Sequence, residues 1–253
     1  MSPFGSFDLD DDDRMAIYRY VERHGTVDTS EAAEHVGIDP ETFRHHVSIL
    51  KRDGYVRETD EGNLRVRLDC GESEEHETAG LHYEIRPACQ ADATGLLGVV
   101  REVADQQKHL VAESVAEQLE YEDALFRNNA GETRVFFVAT VEDEVVGWCQ
   151  VEIPRLAKLS HTAEVTVGVL VEYRRYSIGS HLLQRGMEWA RANGCRRVYN
   201  SLPETNDLAV SFLQENGWRI EAVRNGHFEI DGDPVDEIML AADLGGPEPV
   251  RGG

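Results

Sequence analysis

Residues 174–180, RRYSIGS, place two arginines, two serines and a glycine directly before an amphipathic helix. The preceding apolar run, VTVGVLV, predicts a β-strand, so this segment is a turn between a strand and a helix. The first backbone amides of a helix have no partner within it, and the helix dipole adds partial positive charge. Such a turn binds phosphate. The sequence therefore predicts an anion-binding site formed by Arg174, Arg175, Tyr176, Ser177, Ile178, Gly179 and Ser180.

Strands and helices alternate around this turn, downstream of residue 82. The predicted strands are HYEIRPA, the two halves of RVFFVATVEDEVVGWCQVEI, AEVTVGVLV, RRVYNSL and two closing strands in WRIEAVRNGHFEIDGDPVDEIMLAADL. The predicted helices are DATGLLGVVREVAD, residues 111–128, SHLLQRGMEWARANG and NDLAVSFLQENG. A strand, a helix and a strand in succession imply a parallel pair joined by a right-handed crossover. The predicted fold class is therefore α/β (α+β).

Residues 174–179 resemble the R/Q-x-x-G-x-G/A loop of the GCN5-related N-acetyltransferase (GNAT) family, which cradles the diphosphate of coenzyme A. Arg174 and Gly179 take the first and last positions. Ser177 replaces the middle glycine, and we expect serine to be tolerated there if its φ is negative. Residues 206–218 resemble the second signature of the family, and the likeness covers residues 83–244 with every element in the expected order. A generic α/β domain with a coincidental anion-binding turn is the alternative.

The resemblance implies the GNAT acyl-CoA fold, with a mixed and splayed central sheet, and acetyl-CoA as co-substrate without a metal. The strand AEVTVGVLV is expected to splay from RRVYNSL, so that the backbone of Val167, Gly168 and Val169 pairs with the pantetheine arm. The N–H near Val169 would polarise the thioester carbonyl, a role that is worth roughly 3 to 4 kcal/mol in other enzymes. Asn206 completes the cofactor-binding set.

Direct acetyl transfer also requires a base, because a free amine with a pKa of roughly 10 is mostly protonated at neutral pH. The resemblance assigns this role to Glu164, early on the same strand, and the alternative is one of 48 acidic residues facing solvent. His161 is the reserve base, although an ordinary loop histidine is favoured there. Leu213 stands where the family has the tyrosine that protonates the departing sulfur, and Tyr199 or water could substitute. Cys149 is predicted to lie in the core.

Residues 10–69 are predicted to form three helices and a hairpin, an order that resembles the winged helix-turn-helix domain of archaeal and bacterial transcription regulators. Asp39 is placed as the N-cap of the third helix and Pro40 at its first position. In that architecture the third helix enters the major groove of DNA. The predicted DNA-binding set on this helix and the wing is Arg44, His45, Ser48, Lys51, Arg57, Arg65 and Arg67. A scaffold for protein contact or dimerisation is the alternative.

The charge distribution gives this DNA-binding prediction its best support. From Glu41 to Leu68 six Lys and Arg face five Asp and Glu, a net charge of +1, whereas the whole chain carries −23. The predicted reading surface is therefore the least acidic part of the chain. Residues 70–82, rich in Glu, Gly and Ser, predict an acidic linker to the downstream domain.

The overall composition indicates the environment in which the protein works. The excess of 48 Asp and Glu over 25 Lys and Arg is typical of haloarchaeal proteins, in which roughly 1 M salt screens the mutual repulsion. The four cysteines show no zinc-site spacing, and no run of about 18 apolar residues occurs. The sequence therefore predicts a soluble, halophilic, cytoplasmic protein without a metal or a membrane partner.

Two functions follow from these features. The favoured one is an acetyl-CoA-dependent N-acetyltransferase, with a protein or peptide amine slightly preferred over a small molecule as acceptor. The alternative is a transcription regulator that senses acyl-CoA with weak or no catalytic activity, a reading motivated by Leu213. The expected partners are the acceptor amine and DNA, and a homodimer is compatible with the sequence.

Overall fold

The computed structural model describes residues 11–59, 61–67, 72–107, 110–122, 125–128, 132–154 and 156–245. Its buried side chains form two separate hydrophobic cores, one within residues 17–64 and one within residues 83–244. In this described part of the chain no helix has the length and apolar character needed to cross a lipid bilayer.

The upstream unit contains three helices and a small antiparallel sheet. Its elements are α1 (Asp12–His24), β1 (Thr26–Val27), α2 (Thr29–Val36), α3 (Pro40–Arg52), β2 (Val56–Glu58) and β3 (Leu64–Val66), and the strand order is β1-β3-β2. Each helix begins at an aspartate, because the carboxylates of Asp11, Asp28 and Asp39 accept hydrogen bonds from first-turn amides. Pro40 occupies the first turn of α3, as predicted. The sequence pattern gives no sign of β1, since two residues carry no periodicity.

The downstream unit is built on a large mixed sheet. Its elements are β4 (Glu74–Thr78), β5 (Leu81–Pro87), α4 (Ala93–Gln107), α5 (Leu110–Glu122), β6 (Arg127–Asn128), β7 (Glu132–Val141), β8 (Glu144–Pro154), β9 (Thr162–Val169), α6 (Ile178–Ala192), β10 (Arg197–Pro203), α7 (Asp207–Glu215), β11 (Arg219–Ile230) and β12 (Asp233–Asp243). The strand order is β11-β12-β10-β9-β8-β7-β5-β4, and β6 pairs with β7. Strands β9 and β10 run parallel on either side of α6, as predicted, while the other described pairs are antiparallel.

The segment predicted as a linker contains a strand instead. Residues 70 and 71 lie outside the described residues, but Glu74–Thr78 form β4 and pair with β5 at the edge of the sheet. Ala79 and Gly80 both have positive φ, 52° and 82°, which makes a two-residue turn whose twist suits a hairpin. The charged side chains of β4 suggested a linker, yet charge is common on an edge strand because one side faces solvent.

The helix predicted for residues 111–128 is shorter than expected. Helix α5 ends at Glu122, and Arg127–Asn128 form β6 against β7. No apolar periodicity separates a last helical turn from two residues of strand, so the pairing with β7 decides the conformation.

The two faces of the sheet are covered by different helices. Helix α6 packs closely on one face: a Cβ at Gly186 would lie 2.5 Å from Sγ of Cys149. Cys149 is fully buried, and burial raises the pKa of its thiol, which agrees with the predicted core role. On the opposite face Gln150 Nε2 donates to Gln118 Oε1 of α5 at 3.1 Å. Alternate residues of β8 and β9 therefore face α6 or α5.

Candidate functional site

The turn before α6 has an unusual backbone. Arg175 and Ser177 both have positive φ, 68° and 65°, while Tyr176 between them does not. The condition under which serine was expected to be tolerated, a negative φ, is therefore not met: Ser177 lies in the left-handed region that favours glycine, at a cost of roughly 1 kcal/mol or more. Successive residues of opposite hand turn their amides toward one concavity, which is a known anion-binding geometry.

The N-terminus of α6 carries free amides. Ser177 is its N-cap, but the serine side chain makes no capping hydrogen bond, and the first amide with a helical acceptor is that of His181, 3.0 Å from the carbonyl of Ser177. The amides of Ile178, Gly179 and Ser180 have no acceptor in the described ranges. By contrast, Asn206 caps α7, and aspartates cap α1, α2 and α3. The predicted turn thus presents donors that no side chain of the described chain satisfies.

The two arginines of the turn have different roles. Arg174 is partly buried and its Nε donates to the carbonyl of Val169 at 3.0 Å, which ties the turn to the end of β9. Burial lowers the pKa of Arg174, and the neighbouring Glu172 carboxylate opposes this effect. Arg175 is exposed. Arg174 therefore holds the turn in place, while Arg175 is the cation free to meet an anion.

Strands β9 and β10 separate as predicted. They pair at Thr162 with Arg197, Ala163 with Val198 and Glu164 with Tyr199, and no further register position joins them. At the fork, Asn200 Nδ2 donates to the carbonyl of Val165 at 2.5 Å. Strand β9 then continues to Val169 with β8 alone as a partner.

The peptide groups of β9 alternate between its two sides. The amide of Leu170 donates to Val146 of β8, so the peptide groups of Val167 and Val169 point to the open side. The carbonyl of Val169 is already bonded to Arg174, which leaves the N–H of Val169 and both groups of Val167 for a ligand. Gly168 points the other way, toward β8. This alternation separates Gly168 from its two predicted partners in cofactor binding.

Gly168 has a packing role instead. A Cβ at this position would lie 2.1 Å from the indole ring of Trp148. Trp148 is buried on β8, at the register position opposite Gly168. Only a residue without a Cβ at position 168 leaves room for the indole ring of Trp148.

Glu164 lies on the face of the sheet opposite α6. It is exposed, and its register partners are Tyr199 on β10 and Glu152 on β8. His161 precedes β9, and its carbonyl accepts the amide of Arg196. Leu213 is buried on α7. The side chain of Tyr199 shares the face of Glu164, since paired residues point the same way.

Three residues that no sequence pattern singled out, Tyr83, His181 and His76, form a cluster that contacts the turn. The hydroxyl of Tyr83 on β5 lies 3.2 Å from the carbonyl of Tyr176 and 2.6 Å from Nδ1 of His181. The ring of His181 stacks on His76 of β4 with centroids 4.3 Å apart. No spacing signal could have joined these residues, because Tyr83 and His181 lie on elements far apart in the chain.

The predicted DNA-binding residues come together on the upstream unit. Phe43, Val47 and Leu50 are buried, so the opposite side of α3 is exposed and carries Arg44, His45, Ser48 and Lys51. Arg57, Arg65 and Arg67 belong to the β2–β3 hairpin, and the first and last of these are exposed. Lys51 forms an ion pair with Glu58, and Arg44 Nε donates to the carbonyl of Pro40 at 3.0 Å. Part of the positive charge is therefore already neutralised within the unit.

A possible cation-ligand cluster lies elsewhere in the upstream unit. Asp11, Asp13 and His46 each bring one potential ligand atom within 4.8 Å of the others. His46 Nδ1 lies 3.8 Å from Asp11, and Nε2 lies 3.8 Å from Asp13, so the carboxylates flank opposite nitrogens of the ring. This arrangement links the start of α1 to α3 through polar contacts.

Comparison with known proteins gives consistent results for the downstream unit. Residues 101–218 match the family model described as Acetyltransferase (GNAT) family. A curated relative, an N-alpha-acetyltransferase from Sulfurisphaera tokodaii, is 29% identical over 177 residues, which cover 65% of this chain and 95% of the relative.

Solved structures share the fold at low sequence identity. The acetyltransferase of GNAT family from Streptococcus pneumoniae is 20% identical with a TM-score of 0.53, covering 64% of this chain and 99% of its own. A putative acetyltransferase from Salmonella typhimurium, solved with its cofactor acetyl-CoA, is 16% identical with a TM-score of 0.54, covering 64% and 94%. These likenesses confirm the predicted mixed, open sheet.

Proposed function

We propose that this chain, whose residues 101–218 match the GNAT acetyltransferase family, transfers an acetyl group from acetyl-CoA to the amine of a protein or peptide. The observation that carries the proposal is the uncapped N-terminus of α6, held in a left-handed turn at the mouth of the opening between β9 and β10. The name of the Sulfurisphaera tokodaii relative supports an N-terminal amine as acceptor.

The residues present fit a nucleotide thioester. The amides of Ile178, Gly179 and Ser180 would hold the diphosphate, with the Arg175 guanidinium beside them. The open edge of β9 offers the peptide groups of Val167 and the N–H of Val169 to an amide-containing arm, which is how an extended chain is bound at a sheet edge. Asn206 remains a proposed contact, although its side chain already accepts the Ala209 amide at 3.3 Å.

Bound acetyl-CoA would supply the activated acetyl group as a thioester. The N–H of Val169 is the donor proposed to polarise its carbonyl oxygen. Glu164, exposed at the apex of the fork, is the proposed base that removes a proton from the acceptor amine through water. No phenol occupies the position of Leu213, so the sulfur would leave as a thiolate, which a thiol pKa of roughly 8.5 allows.

The upstream unit is proposed to be a winged helix-turn-helix domain that binds DNA. The element order α1, β1, α2, α3, β2, β3 and the exposed basic side of α3 support this proposal. Binding is tested by fluorescence anisotropy of labelled genomic fragments in graded KCl, with the parent and folded Arg44→Ala and Arg57→Ala variants. No binding by the parent at any salt concentration would favour a scaffold for protein contact instead.

Turnover decides between the enzyme and the alternative, a regulator that senses acyl-CoA. The purified full chain in concentrated KCl receives acetyl-CoA and three acceptor sets: peptides with free N-termini, N-blocked peptides containing lysine, and small amines. Release of free thiol that depends on the peptide N-terminus supports the proposal. The buried Leu213 motivates the alternative, and tight CoA binding without thiol release from any acceptor would favour it.

A further inference from the structure

The cluster beneath the turn contains one phenol whose oxygen has three polar neighbours, of which Thr78 Oγ1 at 3.5 Å is the most distant. Tyr83 Oη lies 3.2 Å from the Tyr176 carbonyl and 2.6 Å from His181 Nδ1. A carbonyl only accepts hydrogen bonds, so the contact with Tyr176 requires the phenol to donate to it. In that arrangement Nδ1 of His181 carries the ring proton and donates to the phenolic oxygen, whereas the other tautomer would take the phenolic hydrogen for itself.

The surroundings of His181 favour a neutral ring. Burial lowers the pKa of His181, the neighbouring His76 lowers it further, and Glu74 opposes them. With the ring proton on Nδ1, the hydrogen-bond chain runs from His181 through Tyr83 to the carbonyl of Tyr176. It begins in the first turn of α6 and ends in the turn that precedes this helix.

The carbonyl of Tyr176 belongs to the peptide that joins Tyr176 to Ser177. Rotation of this peptide by about half a turn would change the φ of Ser177 by the same amount, from 65° into the common negative region. That change would relieve the strain of the left-handed serine. The bond from Tyr83 opposes the rotation by holding the carbonyl.

Strand β4 covers this cluster through the ring of His76. His76 stacks on both His181 and Tyr83, at 4.3 Å and 5.3 Å between centroids. Glu74 forms an ion pair with Arg185 of α6, and Arg185 Nη2 donates to the carbonyl of Glu72 at 2.7 Å. The segment between the two units is thereby attached to the helix that bears the turn.

We propose that Tyr83, oriented by His181, is a positioning residue that keeps Ser177 left-handed and the first amides of α6 aimed at the diphosphate. This inference rests on the proposed function. Tyr83 touches neither reacting atoms nor ligand and acts through the backbone of Tyr176. It affects ground-state binding of the nucleotide more than the chemical step.

The test measures CoA binding by isothermal titration calorimetry in concentrated KCl, with no acceptor present. Tyr83→Phe removes only the hydroxyl and is expected to weaken CoA binding roughly 10-fold, as the loss of one to two hydrogen bonds implies. In the acetylation assay the KM for acetyl-CoA should rise similarly while kcat stays within about twofold. The matched control is Tyr20→Phe, on α1, which should bind CoA like the parent.

A second pair of variants covers the case in which Tyr83→Phe does not fold. His181→Asn keeps an N–H donor near the position of Nδ1 and should bind CoA nearly as the parent does, whereas His181→Leu should lose affinity as Tyr83→Phe does. Equal affinity of Tyr83→Phe and the parent, or of both His181 variants and the parent, overturns this inference alone. Absence of CoA binding by the parent overturns the proposed function instead.

Discussion

Glu164 and Tyr199 occupy the last register position at which β9 and β10 run together. The two strands diverge beyond this pair, so the candidate base lies at the apex of the opening and the anion-binding turn at its mouth. The strand rises about 16 Å between Glu164 and Val169. A thioester carbonyl held at the Val169 N–H would therefore lie well short of Glu164, and the proton from the acceptor amine would reach this carboxylate through bridging water.

Replacing Glu164 by glutamine tests the base. Glu164→Gln keeps the shape of the side chain but cannot accept a proton, so kcat/KM for the acceptor should fall about 100-fold at neutral pH. The affinity for CoA should stay unchanged, because the amides of α6 are untouched. The control is Glu144→Gln, an exposed glutamate at the start of β8. Activity of Glu164→Gln within threefold of the parent would assign proton removal to another group or to water.

The conformation of Ser177 makes a prediction of opposite sign for two substitutions. Glycine adopts a φ of 65° without strain, so Ser177→Gly should leave the protein as stable as the parent or up to about 1 kcal/mol more stable. Valine is strongly disfavoured there, and Ser177→Val should reduce the free energy of unfolding by about 1 to 2 kcal/mol and weaken CoA binding. Denaturant unfolding at fixed KCl measures both, and equal stability of the two variants would contradict the left-handed turn.

The sequence predicts the turn well because its evidence is local. Arg174, Gly179 and the flanking strand and helix are neighbours in the chain, so a turn from a strand into a helix can be read from one segment. The φ of Ser177 escaped prediction for the same reason: its conformation depends on a hydrogen bond from Tyr83, which is distant in sequence.

Other features could not be read from the sequence because they depend on pairing. Gly168 was assigned to cofactor binding, yet its lack of a Cβ serves Trp148 on the adjacent strand. Residues Glu74–Thr78 look like a linker by charge and become a strand because β5 offers an edge. Composition and periodicity describe one segment at a time, whereas these roles depend on contacts between different strands.

The close packing of Gly168 gives a sharp prediction of stability. Gly168→Ala would place a Cβ 2.1 Å from the Trp148 ring, which must shift within a buried site, and the free energy of unfolding should fall by about 2 to 3 kcal/mol. The control is Gly98→Ala on α4, where the added Cβ meets no atom within 4 Å and should stabilise the helix by about 0.5 to 1 kcal/mol. Similar unfolding curves for these two variants would contradict the packing of Trp148 against β9.

The ion pair between Arg86 and Asp92 predicts a pH dependence. Asp92 accepts from Nη1 and Nη2 of Arg86 at 2.7 Å and 2.8 Å and from the Cys89 amide at 2.7 Å, which joins β5 to the start of α4. Burial alone would raise the pKa of Asp92, but the bonds from Arg86 and Cys89 outweigh it and lower the pKa. A lowered pKa stabilises the fold above the unfolded value of roughly 4 and ceases to do so as the pH falls through the folded value.

Asp92→Asn should therefore lower the free energy of unfolding by about 2 kcal/mol at pH 7. The difference from the parent should shrink as the pH falls below about 4, because the parent carboxylate becomes protonated there. Unfolding at constant ionic strength from pH 7 to pH 3 measures this, with the exposed Asp105→Asn as control. A difference that stays constant over this range would show that packing of the side chain, and not its charge, holds β5 to α4.

The net charge of −23 predicts that salt stabilises the whole fold. Between about 0.1 M and about 1 M KCl the Debye length falls from about 10 Å to about 3 Å, so repulsion between surface carboxylates is progressively screened. Thermal unfolding should show the steepest gain in Tm over this interval and a plateau above it. Sucrose stabilises by exclusion from the surface and does not screen charge, so it should not reproduce that dependence on concentration. A Tm that is flat or falls as KCl rises would contradict a surface adapted to concentrated salt, and CoA-binding measurements could then be made in dilute buffer.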